Sequence, residues 1–144
     1  MKKLLIIAIL GFASTVSMQT HAQTVVQDLY SNPASGTKKV DTVINTATVT
    51  MTALAVTGTP KQTTVFVKYG KLSGTVAGVA TLKGSLNGSD WVTADTLTYT
   101  VTDLATQNKV WLIDGAPFLF YRVETVGSGT SSYTVAGQIL SRKL

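Results

Sequence analysis

The amino-acid sequence predicts an all-β fold: an antiparallel β-sandwich or jelly roll of about seven to nine strands, preceded by an N-terminal signal-like segment. From Val40 onward, apolar and polar residues alternate with period two over short windows. Each window is closed by a turn cluster, and none carries a helical period. Threonine occurs 24 times, and a β-branched side chain suits the pleated face of a strand better than the crowded flank of a helix. A chain of 144 residues with one removable end has room for a single domain.

Residues 1–22 have the three parts of a secretory leader: Lys2 and Lys3, an apolar run from Leu4 to Phe12, and Thr20-His21-Ala22 before Gln23. Cleavage is expected after Ala22. The apolar run is too short to hold a bilayer, so no stable membrane anchor is expected. Residues 23–38, with Asn32-Pro33 and Ser35-Gly36-Thr37, read as an N-terminal arm leading to the first strand, and residues 39–144 as the sandwich domain.

Within that domain, Thr48 to Thr52 points Val49 and Met51 inward, and Thr63 to Tyr69 buries Val65, Val67 and Tyr69 while leaving Phe66 and Lys68 outside. The clearest alternation is Asp95 to Thr102, with Leu97, Tyr99 and Val101 on one face and threonines on the other. Val79 to Leu86, Lys109 to Ile113, Leu119 to Thr125 and Ser132 to Leu140 are the remaining strands. From them Leu82, Leu112, Tyr121, Val123, Val135 and Ile139 are expected to complete one core.

Composition excludes several chemistries. There is no cysteine, and the single histidine, His21, lies in the leader. The domain therefore lacks the residues for a Ser-His-Asp triad, a Cys-His pair or a His/Cys zinc site. The seven acidic side chains are scattered singly, whereas glycoside hydrolysis needs two at fixed separation and calcium needs several converging. No catalytic residue, metal or cofactor is expected, and the chain reads as no enzyme.

The formal charge of +5 includes Lys2 and Lys3. Lys68, Lys71, Lys83, Lys109 and Arg122 form a nucleic-acid stripe only if their strands neighbour one another. Lysines that discourage edge pairing are the better reading, and no nucleic-acid partner is expected.

The stretch LKGSLNGSDWV at residues 82 to 92 is the candidate binding element. Asn87-Gly88 marks a tight turn because both tolerate positive φ. Asn87, Asp90 and Trp91 then form either a turn with a core-capping ring or a recognition loop at the end of the sandwich. On the strand after Pro117, Phe118, Phe120 and Arg122 fall opposite Leu119, Tyr121 and Val123. With Phe66 they are candidate interface residues, unless a twist near Pro117 turns Phe118 inward.

Taken together, residues 71–92, DLATQNKVWLIDG at 103–115, APFLFYRVETVGSGT at 116–130 and AGQILSRK at 136–143 resemble small structural proteins of tailed bacteriophage virions. In those, a strand ending in a Gly-Ser step, an Asn-Gly turn and a tryptophan three residues on is followed by a Tyr-Arg strand and a Gly-Ser-Gly-Thr hairpin. The turn and tryptophan alone are similar to discoidin-like carbohydrate- or lipid-binding sandwiches. The resemblance implies a non-enzymatic virion component, such as a capsid decoration or fibre-base protein, whose partners are itself and other virion proteins. The alternative is an exported adhesive module that binds a host-surface glycan through the loop around Trp91. The corresponding locations are the virion, or the cell exterior by way of the leader.

Overall fold

The computed structural model describes residues 24–31, 36, 38–53, 55, 60–94, 98–115 and 117–142. The leader, its cleavage point and the predicted inward Leu97 lie outside the described residues.

Ten strands appear in chain order: β1 (Thr24–Tyr30), β2 (Val40–Ile44), β3 (Thr48–Ala53), β4 (Gln62–Gly74), β5 (Ala77–Ser85), β6 (Val92–Thr93), β7 (Tyr99–Val101), β8 (Thr106–Asp114), β9 (Phe120–Ser128) and β10 (Ser131–Arg142). All pairings are antiparallel, and no helix occurs among the described residues. The expected all-β sandwich is thus present, with ten strands among the described residues.

Sheet I runs β8-β4-β10, with β1 and β2 end to end on the far side of β10. Sheet II runs from β6 and β7 through β5 and β9 to β3. The two layers are joined at β1: Thr24 to Asp28 pair with β10 in sheet I, whereas Leu29 and Tyr30 pair with β3 in sheet II. The segment read as an arm therefore contains a strand that belongs to both layers. Fully buried Leu29 sits where it changes sheets, so the crossing is fixed by burial as well as by hydrogen bonds.

Between the sheets lies one apolar core that includes Val49, Met51, Val65, Val67, Leu82, Val101, Tyr121, Val123, Val135 and Ile139, as the alternation predicts. Leu112 is the exception. It is 57% exposed, while Trp111 and Ile113 face inward. In the run Val110-Trp111-Leu112-Ile113 every residue is apolar, so the period of two has no phase to read, and pairing with β4 decides it. Asp95 to Thr102 is also shorter than expected: of its described residues, only Tyr99–Val101 form a strand.

Several polar side chains inside the slab gather in one cluster, although the buried Tyr133 hydroxyl has no hydrogen-bond partner among the described residues. Tyr69 stacks on Tyr99 at 5.8 Å between centroids and meets Tyr133 edge-on at 6.3 Å. Tyr99 donates to Gln107 Oε1 at 2.9 Å, and Gln107 Nε2 donates to the Thr102 carbonyl. Burial pushes the Tyr69, Tyr121 and Tyr133 hydroxyls above their ordinary range of ionisation.

Candidate functional site

The loop between β5 and β6 is built by its own side chains. Ser85 Oγ accepts from the backbone N–H of Gly88 at 2.9 Å and donates to Asn87 Oδ1 at 3.0 Å. The same Asn87 oxygen accepts from the N–H groups of Ser89 and Asp90, each at 2.9 Å, and its amide donates to Asp90 Oδ2 at 2.7 Å. Asn87 and Asp90 thus shape the loop and hold each other. Gly88 takes φ of 77°, the left-handed turn that the Asn-Gly pair announces. Its Cα faces the Phe120 ring, whose atoms would lie 3.6 to 3.7 Å from a β-carbon there.

This fold-back carries Trp91 onto the outer face of sheet II. The half-buried indole lies under the Arg122 guanidinium, 4.3 Å from ring centre to Cζ. Trp91 is therefore neither a cap inserted between the sheets nor a free ring. Arg122 Nη2 donates to Glu124 at 3.2 Å, and Lys83 Nζ donates to the other oxygen of Glu124 at 2.8 Å. One carboxylate holds two cations, and the buried Arg122 Nε has no hydrogen-bond partner among the described residues.

Strand register extends the site. Arg122 lies opposite Lys83 on β5 and Thr52 on β3, and Thr52 lies opposite Tyr30 on β1. One row across the outer face of sheet II thus reads Tyr30, Thr52, Arg122, Lys83, with Trp91 above Arg122. At about 4.8 Å per strand, this ledge of hydrogen-bonding groups spans roughly 15 Å from Tyr30 to Lys83. Tyr30 and Thr52 were invisible as site residues in the sequence, because strand pairing alone brings them to Arg122.

Of the expected interface residues, the structure gathers Asn87, Asp90, Trp91, Phe120 and Arg122 at one end of sheet II. Phe118 is close by but turned inward. It packs against the core and meets Tyr121 edge-on at 6.0 Å, and its ring occupies the space that Gly84 leaves free of a side chain. The twist after Pro117 thus wins over an outward Phe118, and Leu119, 45% exposed, takes the outer position. A cleft of about 260 Å³ remains at this corner, bounded by Gly84, Leu86, Asn87, Asp90, Val92 and Phe118. Phe66 is elsewhere, on the outer face of sheet I, beside Lys68 and Gln138.

The basic side chains do not form a stripe. Lys83 and Arg122 face outward on sheet II and Lys68 outward on sheet I. Lys109 points between the layers, over the Trp111 ring at 5.5 Å, and Lys71 pairs with Asp103 at 2.7 Å. Among the described residues, no three acidic or histidine side chains converge as a metal site, and no helix is long and apolar enough to cross a membrane.

A slab of two antiparallel sheets with a polar and aromatic ledge on one outer face defines the class: a β-sandwich module with a candidate recognition surface. No family model matches the chain, and no curated protein matches it by sequence. Similar folds occur among solved structures. The enzymatically active domain of tailspike protein 4 of bacteriophage CBA120 superposes with a TM-score of 0.52 at 12% identity, over 83% of this chain and 18% of that one. A CBM4 structure gives a TM-score of 0.49 at 9% identity, over 72% of this chain and 71% of that one. At such identity the likeness to the tailspike domain is one of fold.

Proposed function

We propose that this chain is a non-enzymatic recognition module of a bacteriophage-associated particle, and that it attaches to a surface glycan through the ledge of Trp91, Arg122, Lys83 and Glu124. The observation that carries the reading is the stack of Arg122 on Trp91. A rigid aromatic and a pre-positioned guanidinium stand on the outside of a sheet, where neither is needed to close the core. Sugars present apolar faces and hydroxyls together. The ledge offers matching apolar and polar groups in fixed positions, so little ordering is left for binding to impose. The phage setting is supported by the sequence resemblance to virion proteins and is compatible with a similar sandwich fold in a tailspike. The scattered carboxylates give no support to hydrolysis.

The test is binding of the full chain to a panel of bacterial surface polysaccharides, comparing the natural protein with Trp91→Ala and Arg122→Ala. Binding lost in both variants, with the unfolding transition kept within a few degrees, supports the reading. Undiminished binding in both, or no polysaccharide bound by the natural protein, removes it. A purely structural role through protein contacts is the second reading. It is favoured by the apolar outer face of sheet I.

A further inference from the structure

We infer that the outer face of sheet I is the contact surface between two copies of this chain, packed face to face about a two-fold axis. The site lies on the layer opposite the Trp91 ledge, so the two proposals fail or stand separately.

Strand register sets out the face as rows. Leu112, Thr64, Leu140 and Val26 lie side by side across β8, β4, β10 and β1, and the next row begins with Val110 and Phe66. Val26, Val110 and Leu112 are 56%, 52% and 57% exposed. This belt crosses the sheet from β8 to β1, interrupted by Thr64, and is two rows deep on the β8 and β4 side, a pattern that single surface hydrophobics do not make.

The geometry selects the occupant. A partner that adds a strand needs a free edge, but β8 carries the inward-pointing Lys109, whose charge would be trapped by edge-to-edge pairing. The opposite side of β10 is already taken by β1 and β2. Apart from the outer edges of β1 and β2, what remains open is the face itself. Four strands by five outward rows give a footprint of roughly 500–600 Å² per copy and about 1,000–1,200 Å² in all, the lower bound for a specific interface.

Charge also fits a second copy. The chain is basic overall, so two copies repel unless the contact is close to neutral. Around the belt, Asp28 and Asp114 stand against Lys68 and Arg142, with Lys39 tied to Asp28. A two-fold axis crossing the strands between these two rows sets Leu112 over Val110, Thr64 over Phe66, Leu140 over Gln138 and Val26 over Asp28. It also sets Lys68 over Gln62 and Asp114 over Asn108, so no like charges meet. The aligned packing of sheets in a sandwich is thereby repeated between molecules.

Sedimentation velocity of the full chain tests the assignment. A reversible species of twice the 15.2 kDa monomer mass is expected, with a dissociation constant on the order of 1–100 μM. Leu112→Lys and Val26→Asp, the second set over Asp28 of the other copy, are on opposite sides of the belt and both outside the core; each should weaken it at least tenfold without moving the unfolding transition. Because the chain has no cysteine, Thr64→Cys gives a unique thiol that a short bis-maleimide should link into a covalent dimer, whereas Thr50→Cys on sheet II should stay monomeric. A monomer at all concentrations up to about 1 mM overturns the proposal, as does a dimer indifferent to both the Leu112→Lys and Val26→Asp variants or one cross-linked through Thr50→Cys.

Discussion

The Arg122 guanidinium lies 4.3 Å from the centre of the Trp91 ring, so the β5–β6 loop is fastened to β9, an interior strand of sheet II. Since Glu124 binds Arg122 through one oxygen and Lys83 through the other, the contact is part of a fixed assembly rather than an exposed pair of mobile side chains.

A double-mutant cycle of Trp91→Ala and Arg122→Ala is expected to give a coupling of about 0.5–2 kcal/mol in urea unfolding. Arg122→Lys should keep the charge pair but lose most of that coupling, because an ammonium lacks the planar face that stacks on indole. Equal stability losses with no coupling would leave the loop independent of the strand.

Gly84 leaves open the space that the Phe118 ring fills. Gly84→Ala should therefore destabilise the sandwich by about 1–3 kcal/mol through overpacking, measured as a lower urea midpoint at unchanged slope. Combining it with Phe118→Ala should return part of the loss, since the methyl group then enters vacated space.

Lys109 is the charge that guards the edge of sheet I. Lys109→Val should leave the monomer folded but produce concentration-dependent aggregates by light scattering, because β8 then offers an apolar strand with unpaired backbone groups. Added salt should not suppress this aggregation.

Acid should destabilise the fold by a route that can be assigned. The Lys71 ammonium, together with the Val76 N–H, holds the Asp103 carboxyl below its ordinary range, and Lys39 does the same for Asp28. A depressed carboxylate stabilises the folded state above its unfolded pKa, near 3.8, and that contribution is lost as pH falls through the folded value. The unfolding temperature should thus begin to drop near pH 4 and continue downward, and Asp103→Asn should flatten part of the decline.

Alkali should act through the tyrosines. Burial raises the Tyr69, Tyr121 and Tyr133 hydroxyls above their ordinary value of 10.0. Their contribution is complete below the unfolded pKa, near 10, and disappears as pH rises through the folded values. Ultraviolet titration should show these three ionising only together with loss of the fold. A single smooth transition for all five tyrosines would contradict their burial.

Much of this protein was legible in its sequence because the signals were local. Thr48 to Thr52 and Thr63 to Tyr69 alternate cleanly, and the pleat forces every second side chain to one face, so Val49, Met51, Val65 and Val67 are buried as expected. The Asn87-Gly88 turn was equally plain, since few residues tolerate its dihedrals.

What lay beyond reach was decided between segments distant in the chain. Val110 to Ile113 are all apolar, and only pairing with β4 turns Trp111 inward and Leu112 outward. Residues 24–30 resemble an arm until β10 and β3 supply partners 110 and about 24 residues away, as in the register of Asp28 with Gln138 and of Leu29 with Ala53. Likewise, no spacing could place Trp91 on Arg122 or separate Phe66 from Phe120 onto opposite layers. The sequence by itself determined strand phase where polar and apolar residues alternate, turn positions, and the lack of cysteine and histidine in residues 39–144. The tertiary structure alone decided which faces meet, because backbone hydrogen bonding between strands is indifferent to side-chain identity and register is chosen by burial of the whole slab.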